Sequence, residues 1–257
     1  MKYDLHHGDC LEVMAGIPDH SVDLILCDPP YGTTKAKWDS VIPLDKMWEQ
    51  YKRVIRHCGA IVLFSQLPFD KVLACSNLEW LKYEWIWEKP NATGFFNADY
   101  APMKCHETIL VFSDGAAAPL RDESMSMTFR PQFWYSTPYS CTRKPITREL
   151  YAKTEKNTTT ESDGRRFPRD VIEFGSERGL HPTQKPVPLL AYLIRTYTDK
   201  GDLVLDNCMG SGSTGVACVE TDRDFIGIEK EEKYYRMAKE RIEARRANGV
   251  QQDLFNG

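Results

Sequence analysis

The chain alternates short apolar runs with segments whose apolar residues recur at helical spacing. The run at 22–27 has strand length and is apolar at every position but one. The segment at 231–247 shows helical periodicity, because Tyr235, Ala238 and Ile242 fall on one face. Such alternation predicts an α/β fold with a mainly parallel sheet and helices on both faces. The predicted strands are 22–27, 59–64, 83–87, 107–112, 202–206 and 225–229, and the predicted helices are 44–56, 68–75, 188–197, 213–220 and 231–247.

The composition is that of a globular protein, with 42% hydrophobic and 27% charged residues. At 257 residues the chain can form one large α/β domain or a domain with a smaller insertion, and we favour the second. No stretch approaches the roughly 20 apolar residues that span a bilayer, and the N-terminus lacks an apolar signal core. We therefore expect a cytoplasmic protein with no membrane partner.

The eight cysteines are not spaced like zinc ligands, because no two of them are separated by two or four residues. We interpret them as reduced thiols and predict no metal site. The net charge of −4 argues against a surface that is basic throughout, but it allows a local basic patch.

The alternation of strands and helices stops between residues 113 and 179, where Pro, Ser, Thr and Arg are frequent. From Arg130 to Arg169 there are nine basic and four acidic residues, a net charge of +5, with aromatic residues interleaved. An inserted nucleic-acid-binding module and a solvated loop with a few core aromatics both explain this composition. The candidate DNA contacts in this segment are Arg143, Lys144, Arg165 and Arg166.

An acidic residue, two prolines and an aromatic residue follow directly on the strand predicted at 22–27: Asp28, Pro29, Pro30 and Tyr31. The carboxyl end of a strand is where open α/β sheets place their chemistry. The prolines restrict the backbone and remove two amide donors, so the carbonyls of Asp28 and Pro29 become rigid acceptors. Such acceptors beside a flat ring suit a planar amine. The alternative is an ordinary proline turn at a strand end.

A glycine-rich turn at 207–215 follows the strand predicted at 202–206 and opens a helix. Glycine lets the backbone approach a ligand closely. The next predicted strand ends in Glu229, which is placed to accept hydrogen bonds from the two hydroxyls of a ribose. The glycines are not followed by lysine, so the turn is not a nucleoside triphosphate P-loop. The pattern favours a nucleoside-containing cofactor.

Four elements in this order resemble the amino-group DNA methyltransferases that use S-adenosylmethionine, in the circularly permuted class usually called β. The elements are Gly8-Asp9-Cys10-Leu11, Asp28-Pro29-Pro30-Tyr31, His181-Pro182-Thr183-Gln184-Lys185-Pro186, and the turn at 206–215. The resemblance covers most of the chain and implies a Rossmann-like methyltransferase sheet, circularly permuted. It also implies a catalytic half at 1–112, a target-recognition insertion at 113–180, a cofactor-binding half at 181–247 and a tail at 248–257.

The resemblance implies a site-specific enzyme that transfers a methyl group from S-adenosylmethionine to the N6 amine of a flipped adenine in duplex DNA. Asp28 and Pro29 would accept the two N–H bonds of the amine, and Tyr31 would stack on the flipped base. N4 of cytosine is the alternative target, but cytosine enzymes of this kind often carry Ser at the position of Asp28. A catalytically silent DNA-binding subunit is another alternative, against which the intact tetrad argues. Related RNA and protein methyltransferases usually carry Asn at that position and keep the unpermuted order.

The resemblance also assigns residues to the cofactor. Asp9 would meet the adenine amine, Glu229 the ribose, and Asp206 the methionine end. Asp9 taken alone is better explained as a helix N-cap, and both roles can coexist. This chain departs from the family pattern at Asn207 and Cys208, where Pro and Phe are expected. The assigned cofactor residues are Asp9, Cys10, Thr183, Lys185, Asp206, Cys208, Gly210, Ser211, Gly212, Thr214 and Glu229.

Two further regions are candidates for contact with the target base or its neighbours. The loop 32–43, with Lys35, Lys37 and Trp38, would close over the flipped nucleotide or fill the gap that it leaves, although packing explains Trp38 equally well. His106-Glu107 and the segment 88–91 match positions that line the target pocket, and surface charge is their alternative explanation.

The partner implied by the resemblance is double-stranded DNA, and homodimers are common in the class. The C-terminal residues Gln251-Gln252-Asp253-Leu254-Phe255 resemble peptides that dock on the bacterial replication sliding clamp. A frayed terminus, or Leu254 and Phe255 folded back on the body, explains the same residues.

Overall fold

The structure is a computed structural model that describes residues 1–33, 39–118, 122–144, 157–176 and 184–255. In chain order its elements are β1 (Tyr3–His7), α1 (Cys10–Met14), β2 (Val22–Cys27), α2 (Leu44–Val54), β3 (Ile55–Ser65), α3 (Phe69–Cys75), β4 (Leu81–Thr93), β5 (Lys104–Phe112), β6 (Trp134–Tyr135), β7 (Tyr139–Arg143), β8 (Thr158–Ser162), β9 (Arg165–Arg166), β10 (Val171–Glu173), α4 (Val187–Tyr197), β11 (Leu203–Asp206), α5 (Ser213–Thr221), β12 (Asp224–Glu229) and α6 (Glu232–Phe255). Among the described residues, no helix combines the length and the apolar character needed to cross a bilayer.

Eight strands form the central sheet in the order β1-β12-β11-β2-β3-β5-β4-β10. Its first five strands are parallel, β5 is antiparallel to both of its neighbours, and β10 pairs in parallel with β4. The antiparallel pairing of β4 and β5 follows from their hairpin connection, which reverses the chain direction. The predicted α/β fold with a mainly parallel sheet is confirmed.

Helices cover both faces of this sheet, and β2 shows how one strand serves both. Leu24 and Leu26 pack in the core cluster that contains α4, α5 and α6. Ile25 and Cys27 pack in the cluster that contains α1, α2 and α3. Because successive side chains of a strand point to opposite faces, a run that is apolar at nearly every position indicates a strand buried on both sides.

Three differences from the sequence predictions have physical reasons. Strand β1 was not predicted, because it is an edge strand with a partly exposed, polar sequence that pairs with β12 on one side only. Helix α1, considered only as an alternative role for Asp9, is a single short helix. Helix α6 continues to Phe255 instead of ending at 247, because no proline interrupts the segment predicted as a tail.

The parallel strands bring four acidic residues to one edge of the sheet. Asp28 follows β2, Asp206 ends β11 and Glu229 ends β12. Asp9 follows β1, whose last residue, His7, is in register with Glu229. Carboxyl ends of adjacent parallel strands form the crevice where open α/β sheets bind ligands. The topology therefore assembles one site from residues that lie about 200 positions apart in the chain.

Residues Pro131–Arg169 form a second compact unit inside the segment that lacked helix and strand periodicity. It contains two short antiparallel ribbons, β6 with β9 and β7 with β8. Three basic side chains lie over aromatic rings within it: the guanidinium groups of Arg165, Arg166 and Arg169 lie 4.5, 4.6 and 5.9 Å from the ring centres of Phe133, Tyr139 and Trp134, respectively. Ring stacking by guanidinium groups thus contributes to the packing of a unit that has few apolar residues.

Candidate active site

A cavity of about 570 Å³ opens at the carboxyl edge of the parallel strands. This volume falls within the range of small-molecule and cofactor sites. The cavity brings together both halves of the site expected from the sequence. Its lining includes the tetrad Asp28, Pro29, Pro30 and Tyr31, and the expected cofactor residues Asp9, Cys10, Lys185, Asp206, Cys208, Gly210, Ser211, Thr214 and Glu229.

Both carboxylate oxygens of Asp28 are engaged by neighbouring side chains. The Tyr31 hydroxyl donates to Oδ1 at 2.5 Å, and the Lys185 ammonium donates to Oδ2 at 2.5 Å. A carboxylate has about four lone-pair positions, so each oxygen retains the capacity for one more hydrogen bond. The carboxylate is thereby oriented while it can still accept an N–H bond from a ligand.

Lys185 joins Asp28 to a second buried carboxylate. Its Nζ lies 3.4 Å from Oε2 of Glu107, and Lys89 pairs with Oε1 of the same residue. The Lys185 side chain is only 7% exposed. Two carboxylates and two ammonium groups therefore alternate along a series of ion pairs, in the order Asp28, Lys185, Glu107 and Lys89. When all four groups are ionised, their charges sum to zero. The ion pairs of Lys185 are with these carboxylates, and its ammonium also lies over the rings of Tyr31 and Phe64, whereas the sequence resemblance assigned this residue to the cofactor.

The pKa values in this series of ion pairs reflect competition between burial and opposite charge. Burial raises the pKa of Asp28, and the attraction of Lys185 only partly offsets it. Burial also acts to raise the pKa of Glu107, but Lys185 and Lys89 outweigh it and the pKa is lowered. For Lys185, burial acts to lower the pKa, while Asp28 and Glu107 outweigh it and raise the pKa. Lys185 thus stays cationic beside the catalytic candidate.

The ring of Tyr31 is fixed by packing. Its centre lies 5.4 Å from that of Phe69, and the two rings are inclined by only 27°. Phe69 is buried at the start of α3. Burial raises the pKa of Tyr31 well above its ordinary value, so the hydroxyl remains a donor to Asp28. A held ring of this kind can serve as a platform for a flat ligand.

The glycine-rich turn is tied to the end of β12 through Glu229. The backbone N–H of Gly210 donates to Oε2 of Glu229 at 2.9 Å, and that of Glu231 donates to Oε1 at 2.7 Å. Gly212 has a φ of 79°, and a Cβ at this position would lie 2.9 Å from the Cα of Ala238 on α6. Gly212 therefore allows close packing of the turn on α6, while Gly210 lines the cavity.

Asp206 is a buried carboxyl group at the beginning of the turn. Its oxygens accept hydrogen bonds from the Thr214 hydroxyl at 2.6 Å and from the Cys208 backbone N–H at 3.1 Å. Burial is the main cause that raises the pKa of Asp206 to about 7. A cationic group of a ligand in the cavity would stabilise the ionised form.

Asp9 has the two roles that the sequence left open. Its Oδ1 accepts a hydrogen bond from the Leu11 N–H at 3.0 Å and so caps α1. The residue also lines the cavity, and its Oδ2 lies 3.2 Å from Nζ of Lys230. The helix cap holds the carboxylate at the cavity wall.

The two departures from the family pattern have defined surroundings. Asn207 is buried and accepts a hydrogen bond from the Tyr51 hydroxyl at 2.6 Å. The thiol of Cys208 lies close to those of Cys10 and Cys27. A group of thiols therefore occupies the region where the family pattern places a phenyl ring.

The structure reports on only some of the candidate DNA contacts. Lys35, Lys37 and Trp38, like Thr183 among the cofactor candidates, lie outside the described residues. Arg143, Lys144 and Arg165 are exposed within the second compact unit. Arg166 is partly buried there and donates to the Ser162 hydroxyl and to the Thr137 carbonyl at 2.6 and 2.7 Å. Arg166 therefore contributes to the packing of the unit itself.

Comparisons with known proteins agree on one family. A family model described as DNA methylase, of the N6/N4 methyltransferase type, matches residues 22–240. The Type II methyltransferase M2.MboI of Moraxella bovis is 26% identical over 266 residues, which covers 93% of this chain and 87% of that protein. The DNA adenine methyltransferase YhdJ of Escherichia coli strain K12 is 28% identical over 255 residues, which covers 92% and 81%.

Solved structures share the fold. The M1.HpyAVI complex with S-adenosylmethionine superposes with a TM-score of 0.61 at 24% identity and covers 93% of this chain and 99% of that one. The cytosine-N4-specific PvuII DNA methyltransferase has a TM-score of 0.66 at 15% identity, with coverages of 94% and 86%. TTHA0409 of Thermus thermophilus, complexed with S-adenosylmethionine, has a TM-score of 0.59 at 22% identity and covers 96% of each chain.

The lining of the cavity fits S-adenosylmethionine. Glu229 ends a strand beside the glycine-rich turn, where its carboxylate can accept hydrogen bonds from a ribose. The buried Asp206 carboxyl group, in its ionised form, complements the positive charge of the methionine end. The family model spans most of the chain, and its matched region contains both elements. The chain therefore belongs to the N6/N4 DNA methylase family and is a DNA methyltransferase with S-adenosylmethionine as its cofactor.

Proposed function

We propose that this protein methylates the exocyclic N6 amine of adenine at a specific sequence in duplex DNA, after the target base has been flipped out of the helix. The observation that carries the proposal is the Asp28 carboxylate, oriented at the cavity by Tyr31 and Lys185 next to the Pro29 carbonyl. Asp as the first residue of the tetrad favours adenine over cytosine. A relative that is 28% identical is named a DNA adenine methyltransferase.

The chemical task is to make a poor nucleophile reactive. The amine of adenine is planar, and its lone pair is delocalised into the ring. Asp28 and the Pro29 carbonyl accept its two N–H bonds and favour a pyramidal nitrogen whose lone pair points at the methyl donor. When bound, S-adenosylmethionine supplies that methyl group on a cationic sulfur. Removing one such oriented acceptor typically costs about 10²–10³ in rate.

A proton leaves the nitrogen after methyl transfer, because the alkylated amine is cationic and strongly acidic. Asp28 is in hydrogen-bond reach of this proton when it accepts the amine, so the proton passes to Asp28 or to water. Lys185 stays cationic throughout, and its charge acts to lower the pKa of Asp28 against the effect of burial. Asp28 therefore needs no strong basicity of its own at the start.

Access to the amine requires base flipping, because the target atom lies inside the duplex. Extrusion costs a few kcal/mol. Phe69 holds the Tyr31 ring in place. Stacking of the flipped base on this ring stabilises the flipped state by roughly 1–3 kcal/mol and so offsets part of the extrusion cost. The basic, aromatic unit 131–169 supplies groups suited to the DNA backbone, with Arg143, Lys144 and Arg165 exposed.

Methyl transfer from labelled cofactor to genomic DNA, followed by analysis of the nucleosides, tests the proposal. We expect N6-methyladenine, and modification-sensitive sequencing should place it at one defined sequence. N4-methylcytosine as the product would establish the alternative base. Label on RNA or protein instead of DNA, or no transfer to any acceptor, would contradict the proposal, and duplex DNA, RNA and protein are therefore assayed in parallel.

A further inference from the structure

The hairpin between β4 and β5 ends in an exposed group of aromatic side chains. Phe96 is 98% exposed, Tyr100 is 92% exposed and Phe95 is 75% exposed. Scattered single apolar residues are common on protein surfaces, but a cluster of large ones indicates an interaction site. We call these three residues the aromatic tip.

The aromatic tip has a defined backbone. Gly94 adopts a φ of 93° and begins a short 3₁₀ turn at Phe95–Asn97. The backbone N–H groups of Tyr100 and Ala101 both donate to the Asn97 carbonyl at 2.9 Å. These hydrogen bonds hold the turn without help from the side chains, so the rings are presented outward and are not needed for local packing.

Both arms of the hairpin reach the active-site cavity. Lys89, Asn91 and Thr93 of β4 line it, and Thr93 is in register with Lys104 of β5. Lys104 in turn donates to Gln66, another lining residue, at 3.3 Å. Phe96 follows Thr93 by three positions, which places it within about 10 Å of the cavity lining along the chain. The aromatic tip therefore follows directly on strand residues that line the cavity.

We propose that the aromatic tip stacks into the duplex next to the target base, with Phe96 as the leading ring. The inference rests on the proposed function, because a base that enters the cavity leaves unstacked neighbours at the rim. Flat rings stack on any base and are used as wedges between base steps. Lys104, an exposed cation on the same hairpin, complements the phosphate charge. The DNA duplex is favoured over a second copy of the chain, because a protein bound to the aromatic tip would crowd the cavity mouth.

This proposal gives the hairpin a task that the sequence resemblance assigned to the loop 32–43. Stacking on an exposed ring stabilises the opened duplex and so favours the flipped state of the target. The contribution should vanish when the target base is already unpaired, because no pairing then opposes its extrusion. The pairing state of the target is thus the variable that separates a wedge from a general DNA contact.

The test compares Phe96→Ala with wild type in single-turnover methylation of two duplexes that carry the mapped site. One has a normal partner opposite the target base, and the other has an abasic position there. We expect Phe96→Ala to lower the rate on the paired duplex about 10- to 100-fold. On the unpaired duplex, the rate should remain close to that of wild type. Phe96→Trp should keep activity because it retains a stacking ring, and Phe96→Leu should lose it.

Leu78→Ala is the matched control, since Leu78 is an exposed apolar residue that is absent from the cavity lining. Equal losses on both duplexes, or no loss on either, would overturn the proposal. So would a wild-type dimer that becomes a monomer in Phe96→Ala, because the aromatic tip would then be a contact between copies. Wild type that methylates neither duplex would refute the proposed function itself, which separates the two failures.

Discussion

Lys185 donates a hydrogen bond of 2.5 Å to Asp28, although 157 positions separate the two residues in the chain. The ammonium is buried between two carboxylates, those of Asp28 and Glu107. Removing one partner of a buried ion pair leaves an uncompensated charge, which typically costs about 3–5 kcal/mol. The pair therefore affects both the pKa of Asp28 and the stability of the site.

Asp28→Ala should lose methyl transfer and keep cofactor binding. In the proposed mechanism this acceptor binds the reacting amine, so we expect the single-turnover rate to fall by at least about 10²–10³. Asp28→Asn retains the shape of the side chain but not its charge, and it should also be strongly impaired. Cofactor affinity, measured by calorimetry, should remain near that of wild type for both variants. Normal turnover by Asp28→Ala would remove Asp28 from the mechanism.

Lys185→Met should shift the acidic limb of the pH–rate profile to higher pH. In the proposed mechanism Asp28 accepts the N–H bond of the amine in its ionised form, so the rate should fall as the pH drops through the pKa of Asp28. Burial already raises this pKa, and loss of Lys185 removes the main opposing charge. The shift is read from single-turnover rates across pH, and Lys185→Arg should restore the wild-type limb.

Lys89→Met is the matched control for this experiment, because Lys89 pairs with Glu107 and not with Asp28. Lys89→Met should shift the acidic limb of the pH–rate profile less than Lys185→Met does. Coincident profiles for wild type and Lys185→Met would show that Lys185 does not set the protonation of Asp28.

Cofactor affinity should increase as the pH rises through the pKa of Asp206, which is about 7. Below this value the carboxyl group is protonated and offers no charge to the cationic end of S-adenosylmethionine. The affinity should change by up to about tenfold per pH unit on the acidic side. Calorimetric titrations across this range measure the effect, and Asp206→Asn should bind more weakly with a flatter dependence. If the affinity of the wild-type protein for S-adenosylmethionine stays constant as the pH passes through 7, the assignment of Asp206 to the cofactor is contradicted.

The same group affects the stability of the cofactor-free protein. The pKa of Asp206 is about 7 in the folded protein, above its ordinary value of 3.8. Between these two pH values the folded protein binds a proton that the unfolded chain does not, and this proton uptake favours folding. This contribution to the free energy of unfolding is present below about pH 4 and is lost as the pH rises through about 7. Thermal unfolding of Asp206→Asn should lack this pH-dependent contribution. A difference in stability between wild type and Asp206→Asn that is the same at every pH would contradict the prediction.

Arg165→Ala should weaken DNA binding in a salt-dependent way. Its guanidinium is exposed, and losing one phosphate contact reduces the slope of log affinity against log salt by about 1. Fluorescence anisotropy at several salt concentrations measures the slope. Arg236→Ala serves as control, because Arg236 is an exposed arginine paired with Glu232 on α6.

Arg166→Ala should show a larger loss of DNA affinity than Arg165→Ala, since Arg166 also holds its own unit together. Unchanged slopes would place the basic patch away from DNA.

Gly212→Ala should destabilise the protein more than Gly210→Ala. Both glycines have positive φ, which costs an L-residue roughly 1–2 kcal/mol. A Cβ at position 212 would also collide with Ala238 of α6, whereas a Cβ at position 210 would meet no atom within 4 Å. Chemical unfolding of the two variants measures the difference. Equal unfolding free energies would show that the turn moves away from α6 without cost.

The central elements were predictable because their burial is recorded in the local pattern. Strand β2 coincides with the predicted run 22–27, since a strand covered on both faces is apolar at nearly every position. Strand β1 lacks this signal, because an edge strand is covered on one side only and tolerates polar residues. The ribbons of the second unit escaped prediction because β6 and β9 have two residues each, too few to show a period.

The sequence by itself determined the chemistry of the site, because the tetrad Asp28 to Tyr31, the glycine-rich turn and Glu229 are local motifs whose function depends on neighbouring residues. It also determined the permuted order of these motifs, and with it the family. Only the tertiary structure decided that Lys185 meets Asp28 and Glu107, and that Thr93, at the base of the aromatic tip, lines the cavity. These contacts depend on the order and register of strands from distant parts of the chain, and a local pattern carries no record of which strands become neighbours.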